Sequence, residues 1–231
     1  LVFTAFSGSH QDAIKKCLAV REDGDTWDVA YLPIDPADLG RSYQEVIRVN
    51  SQSGKGGIAY SLERDYGLQL PRWLQIAFSG AVQRHAEILG GEVSPENIWA
   101  LFNETYIDNL NPSRLGVFEL KRTTHDHIHA QIFANDNTVQ ISGDGHGVMD
   151  AFVHALSGHY GLKIDIQEYT EHALQEGSDA EAVSYMQINI EGQRYFGVAI
   201  HEDIVTASLN AILSTTNQYM SEHQMHSAVA V

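Results

Sequence analysis

Four stretches of this 231-residue sequence hold side chains able to do chemistry. Ser7-Gly8-Ser9-His10-Gln11-Asp12 sets an imidazole among small residues in what reads as a loop. Backbone can approach a ligand closely there, and His can pass a proton near neutral pH. A structural hydrogen-bonding His is the plainer reading of the same residues, and no triad spacing supports Ser7 or Ser9 as a nucleophile. His125-Asp126-His127-Ile128-His129 puts three imidazoles on one face of a strand, with Ile128 and Ala130 on the other. Same-face neighbours on a strand lie about 6 to 7 Å apart, and spacing brings in no Cys or further carboxylate. The alternation is that of an exposed sheet face rather than a metal site. Ser142-Gly143-Asp144-Gly145-His146-Gly147 joins a strand to a helix. The N–H groups at that helix start could receive a carboxylate, and a plain β-to-α turn would look the same. Ser53-Gly54-Lys55-Gly56-Gly57 lacks the spacing of a phosphate-binding Walker loop.

These residues need elements to position them. Residues 7–50 read as irregular, with a surface loop at 22–25 and with Pro33 and Pro36 preventing a regular helix around Tyr31. A short strand is expected at 45–50, and the Gly54-Lys55-Gly56-Gly57 turn then opens a helix with Ile58, Leu62 and Tyr66 on one face. Leu74, Phe78, Ala81, Val82 and His85 recur at helical spacing over 71–89, and Ser94-Pro95 supplies an N-cap and first-turn pair for a helix over 96–106. Beyond Asn111-Pro112 the period changes. Strands are expected at 116–122, 125–134 and 138–142, with a turn at Asn135-Asp136-Asn137, followed by a helix at 148–160. The order then repeats, with strands at 162–171, 182–191 and 194–201 and a helix at 203–219. A βββα unit occurring twice implies a pseudo-symmetric α+β domain in which helices cover one face of antiparallel sheet. The expected division is a loop-rich and helical linker region over 1–110, a (βββα)2 domain over 111–221, and a disordered tail over 222–231.

Composition narrows the partners. With 14 Lys plus Arg against 30 Asp plus Glu, the formal net charge is −16, a surface that repels phosphate backbones and anionic lipid. Neither nucleic acid nor membrane is an expected partner. Cys17 is the single cysteine and has no internal disulfide partner, and no apolar run approaches the roughly 20 residues of a membrane helix. A reducing cytoplasm fits these features. The apolar start Leu1-Val2-Phe3-Thr4-Ala5-Phe6 has no basic flank or signal cleavage site, and reads as a stretch that packs against something preceding it in a longer protein.

Taken together, these pieces resemble the α-isopropylmalate synthase family in its long actinobacterial and fungal form. The resemblance runs through Ser7-Gly8-Ser9-His10-Gln11-Asp12, Tyr31-Leu32-Pro33-Ile34-Asp35-Pro36 with Gly40-Arg41, Arg48 to Gly57, and Gly91-Glu92-Val93-Ser94-Pro95-Glu96. It continues through the Gly-rich turn with Ala151-Phe152-Val153-His154-Ala155-Leu156, then Tyr169-Thr170-Glu171-His172-Ala173 and Thr206-Ala207-Ser208-Leu209. Coverage is essentially the whole chain.

The resemblance implies condensation of acetyl-CoA with 3-methyl-2-oxobutanoate, the committed step of leucine biosynthesis, on a divalent Mg or Mn ion that polarises the keto group. In that family the metal ligands sit on a TIM barrel, which would precede Leu1 and is absent from this chain; no metal is expected on the part given. His10 and Tyr31 match linker residues that reach an active site, that of the partner subunit in a homodimer, with Asp12 orienting them. A leucine pocket at the dimer interface is implied for Gly145, Gly147, Met149, Asp150, Ile166, Tyr169, Ala173, Ala180, Ala182 and Ile204. The small residues would leave room for a branched side chain, and the Gly-rich turn would hold the charged ends. The sequence departs from the family's G-N-G-P turn, with His146 for Asn and Val148 for Pro. Citramalate and homocitrate synthases share the chemistry and stand as alternatives, as does a free-standing amino-acid-binding module.

Overall fold

Ala13-Ile14-Lys15-Lys16-Cys17-Leu18-Ala19 is a run mostly of good helix formers. In the computed structural model it lies inside helix α1 (Gly8–Val20), which corrects the loop expected of residues 8–12. Ile14 is fully buried and packs with Val29 and Leu32, so tertiary burial reinforces local propensity. The structure describes residues 8–22, 24–40, 55–89, 93–108, 113–134, 137–175, 177 and 179–223. The strand expected at 45–50 lies outside them, as do the Asn135-Asp136 part of the expected turn and residues 224–231 of the expected tail. The described chain divides into two units, Leu1–Phe102 and Asn103–Val231, ahead of the expected change at Asn111-Pro112.

The first unit continues through a 3-10 turn at Pro36–Leu39 to helices α2 (Lys55–Tyr66), α3 (Arg72–Leu89) and α4 (Pro95–Phe102). Ile58 and Leu62 are buried on α2, and Leu74, Phe78 and Val82 are buried one turn apart on α3, the faces that the spacing predicts. Phe78 meets Phe102 edge to face at 5.1 Å, and Tyr66 stacks on Trp99 at 4.4 Å. The Ser94 hydroxyl accepts the Asn97 N–H at 3.2 Å, which caps α4 as expected. That helix stops at Phe102 rather than running to 106, because Asn103–Ile107 widens into a π-helical turn.

The second unit is two three-stranded antiparallel sheets, each followed by a helix. Strands β1 (Ser113–Arg122), β2 (Asp126–Ala134) and β3 (Asn137–Gly145) precede α5 (Val148–Tyr160). Strands β4 (Ile164–Ala173), β5 (Ala182–Ile190) and β6 (Gln193–His201) precede α6 (Ile204–Glu222). The (βββα)2 order is therefore as the period change implies, but the sheet is split in two. Ile128, Ile132, Phe152 and Leu156 of the first repeat join Met186, Ile188, Leu209 and Ile212 of the second in one core. A register shift interrupts each opening strand, between Leu115 and Phe118 on β1 and between Ile166 and Glu168 on β4, so the likeness of the repeats extends to their bulges.

Close approach of helix to sheet is built on glycine in both repeats. A Cβ on Gly143 would stand 2.3 Å from the Ala151 carbonyl oxygen, and one on Gly197 would stand 2.0 Å from that of Ala211. These are backbone obstacles that no rotamer change relieves.

Asp203 caps α6, accepting the Thr206 N–H at 2.8 Å and the Thr206 hydroxyl at 2.6 Å. The Thr206 hydroxyl and then its N–H lower the Asp203 pKa from 3.8. The folded carboxyl is the stronger acid, so this contribution is full above the unfolded value and is lost as pH falls through the lower folded value. Asp203→Ala is expected to cost about 1 kcal/mol near neutral pH. In urea titrations the gap between variant and parent should narrow as pH falls below the ordinary carboxylate range; a gap unchanged there would show that the charge has no part in the cap.

Candidate functional site

In the first unit the chain turns sharply at Tyr31, whose φ of 66° is uncommon for a bulky residue. Neighbouring bonds hold the turn. Val29 and Leu32 form an isolated bridge, the Leu32 N–H donates to Val29 O at 3.1 Å, and the Trp27 indole N–H donates to Leu32 O at 2.7 Å. Arg21 lies over the Trp27 ring at 5.0 Å. The turn lays the Tyr31 ring on the His10 imidazole, with centroids 4.0 Å apart and planes 27° apart. His10 is exposed in the first turn of α1, and Tyr31 is 59% exposed. Two residues separated by 21 positions thus present one solvent-facing imidazole and phenol pair. The Asp12 side chain lies outside the described residues. Trp27, which holds the turn, is missed by reading the sequence; its one signal is a Trp set in the polar run Asp25-Thr26-Trp27-Asp28.

In the second unit an open cleft of about 400 Å³ lies between the start of α5 and the start of β4. Gly147, Met149, Asp150 and Ile166 line it with Val148, Val153, His154, Ile164 and Asp165. The first N–H groups of α5 have no acceptor within the helix, and Gly147 precedes them in extended conformation without a side-chain cap. The Asp150 carboxylate accepts the His146 N–H at 2.8 Å and stands 3.8 Å from His154 Nε2. Helix-start donors and the carboxylates of Asp150 and Asp165 therefore flank an apolar floor of Val153, Ile164 and Ile166. That pattern suits a small zwitterion with an aliphatic tail. His154 and Asp165 are the lining groups that sequence reading leaves out.

Other residues of the expected pocket lie elsewhere in the chain. Gly145 ends β3 and packs on α5, where a Cβ would meet Ala151 N at 2.3 Å; β3 runs through residues 143–145, which the sequence reading gives to a turn. Ala173 pairs with Ala182, and Ala182 with His201, at the end of the second sheet from which α6 starts at Ile204. Ala173 is seven residues beyond Ile166 on β4, about 23 Å at the rise of an extended strand. Tyr169, 43% exposed, stands between the two groups. Burial first, and then Glu171, raises its phenol pKa.

His127 and His129 lie on the outer face of β2, and His127 Nδ1 is 2.9 Å from Asp144 Oδ1 across the register. His125 falls just before the strand and lies 5.0 Å from the His146 ring. No group of three His, Cys, Asp or Glu among the described residues is placed to hold a metal ion. No described helix is long and apolar enough to cross a membrane.

A duplicated βββα module with a cleft at a helix start, accompanied by a helical unit bearing an exposed His–Tyr pair, defines an α+β class. The chain belongs to the LeuA allosteric (dimerisation) domain family, whose model matches residues 92–220. Residues 1–63 match the family described as alpha-isopropylmalate synthase, post-catalytic domain-like. Among its relatives, the 2-isopropylmalate synthase of Paraburkholderia xenovorans (strain LB400) is 48% identical over 222 residues, covering 94% of this chain and 38% of the relative. Those of Thermobifida fusca (strain YX) and Mycobacterium leprae (strain TN) are 46% and 45% identical, covering 94% and 95% of this chain and 40% and 38% of theirs. The chain thus spans about two fifths of the length of the curated relatives it matches.

Proposed function

We propose that this chain is the linker and regulatory portion of a 2-isopropylmalate synthase, which joins acetyl-CoA to 3-methyl-2-oxobutanoate in leucine formation and is feedback-inhibited by leucine. The observation that carries the reading is the coincidence of the LeuA domain match with the cleft at the α5 start. A free carboxylate meets helix-start N–H groups there, an ammonium meets Asp150 or Asp165, and an isobutyl group meets Val153 and Ile166. The condensation itself belongs to a barrel preceding these residues, which would hold the divalent metal. His10 and Tyr31 extend into that active site, and the enzyme works in the cytoplasm.

The distance between the two groups of effector residues supports a homodimer. Ala173, Ala180 and Ala182 cannot wall the α5 cleft of their own chain from the other end of β4, but those of a second copy could close it. Leucine is then shared between subunits, and its binding is coupled to how they pair.

Isothermal titration of the chain with leucine, beside valine and isoleucine, tests this reading. Leucine is expected to bind a dimer, and Ala180→Val to weaken it by about 1 to 3 kcal/mol through overpacking of the wall. Equal affinity in parent and variant would remove Ala180 from the pocket. Absence of binding to a folded dimer would mean that His146 and Val148 have retuned the turn.

A further inference from the structure

The second repeat carries a cleft of its own. About 190 Å³ of space, below the roughly 300 to 1,000 Å³ of drug-sized sites, lies beside α6 and the start of β1. Val198 and Leu213, both nearly fully buried, and Ile200 give it an apolar wall, and Asp108, Arg114 and Asn210 its polar groups.

The internal bonding of the cleft separates structural groups from available ones. Asn217 is committed to Ser113, accepting its N–H at 3.0 Å and donating to its carbonyl at 2.7 Å. The Ser214 hydroxyl donates to Tyr106 O at 3.0 Å. Among the described residues the Arg114 guanidinium and the Asn210 carboxamide have no hydrogen bond or ion pair, and the Asp108 carboxylate receives only the Asn103 amide at 3.3 Å. A cation, an anion and an amide therefore border one small apolar space without being spent on one another.

Pseudo-symmetry gives the arrangement a second support. Asn210 is the seventh residue of α6 and Arg114 the second of β1; His154 and Asp165, which line the α5 cleft, hold the same places in α5 and β4. Each repeat's helix thus faces the opening strand of the other repeat across a cleft with polar side chains at matching positions. In the first cleft the strand residue is an acid and in the second a base, so the two cannot hold a zwitterion in the same way.

We infer that the Arg114–Asp108–Asn210 cleft is a second binding site for a small α-amino acid with a short branched apolar side chain. Arg114 and the Asn210 amide take the carboxylate, Asp108 takes the ammonium, and Val198, Ile200 and Leu213 take the side chain. The site is independent of the leucine reading of the α5 cleft.

Amide chemical-shift mapping of the isotope-labelled 231-residue chain tests it, with L-valine, 3-methylbutanoate and isobutylamine each added to about 10 mM. L-Valine is expected to shift Arg114, Val198 and Ile200 saturably, and the two half-ligands to do so at least ten-fold more weakly. Arg114→Gln, a change at an exposed residue, should weaken L-valine at these amides roughly ten-fold or more, and Arg114→Lys should restore part of the loss. Shifts confined to residues 147–150 and 164–166 would locate binding in the α5 cleft alone and overturn the inference. So would an unchanged response in Arg114→Gln, no saturable shift with any compound, or binding of 3-methylbutanoate as tight as that of L-valine. L-Leucine added in a parallel titration that leaves 147–150 unmoved, with these shifts intact, would instead strike only the leucine reading.

Discussion

Gly197→Ala is expected to lose about 3 kcal/mol or more of stability, at the upper end of what overpacking costs. The added Cβ would stand 2.0 Å from Ala211 O and 2.8 Å from Thr215 Cγ2. The first obstacle is helix backbone, so α6 must move off the sheet. That movement opens the contact of Leu209 and Ile212 with Met186 and Ile188, adding lost burial to the steric cost. In a domain of this size the midpoint of thermal unfolding should fall by at least about 6 °C. Gly158→Ala is the matched control. Gly158 lies inside α5 with nothing within 4 Å of a new Cβ, and alanine there should stabilise by about 0.5 to 1 kcal/mol. Equal effects of the two substitutions would refute the close-packing account.

The second large effect concerns the proposed enzyme. In the longer synthase that we propose, His10→Ala should lower kcat by roughly 100-fold or more, the scale of losing a positioned acid–base group. The keto-acid KM should change less. Tyr31→Phe keeps the ring that stacks on His10 at 4.0 Å and removes only the hydroxyl, so its loss should be milder. CoA release under saturating substrates measures both. Near-parent kcat in His10→Ala would reduce the pair to a structural stack that fastens the Tyr31 turn to α1.

The second unit was more legible in the sequence than the first, for a physical reason. Its elements are long and repeat a single order, so the helix expected at 148–160 coincides with α5. Each expected strand meets its counterpart within a few residues. In the first unit the Gly and Ser at 7–9 suggested a loop, yet α1 starts at Gly8 because burial of Ile14 outweighs a weak start. Glycine misled again at 143–145, where alternation hides that β3 continues and that the missing side chains serve the helix packed above. The candidate sites divide along similar lines. The family resemblance names His10 and Tyr31 together, but their stacking depends on a positive φ and an indole bond that no periodicity reports. For the effector residues, the strand expected at 162–171 stops short of Ala173, whereas β4 runs on through it and so holds it about 23 Å from Ile166.

The double bond between Asn217 and Ser113 also bears on how the domain is made. Ser113 opens β1, the outer strand of its sheet, and the carboxamide occupies both its N–H and its carbonyl, as a neighbouring strand would. The partners are 104 residues apart, so the ring they close is among the costliest in loop entropy and forms late. During synthesis the first repeat leaves the ribosome with this outer edge uncapped, and it stays uncapped until most of α6 has followed. At about 5 to 20 residues per second, the stretch from the end of α5 at Tyr160 to Asn217 takes from about three to about eleven seconds. For that time the Ser113 N–H and carbonyl at the strand edge await their partner, and premature termination before Asn217 would leave both groups without it.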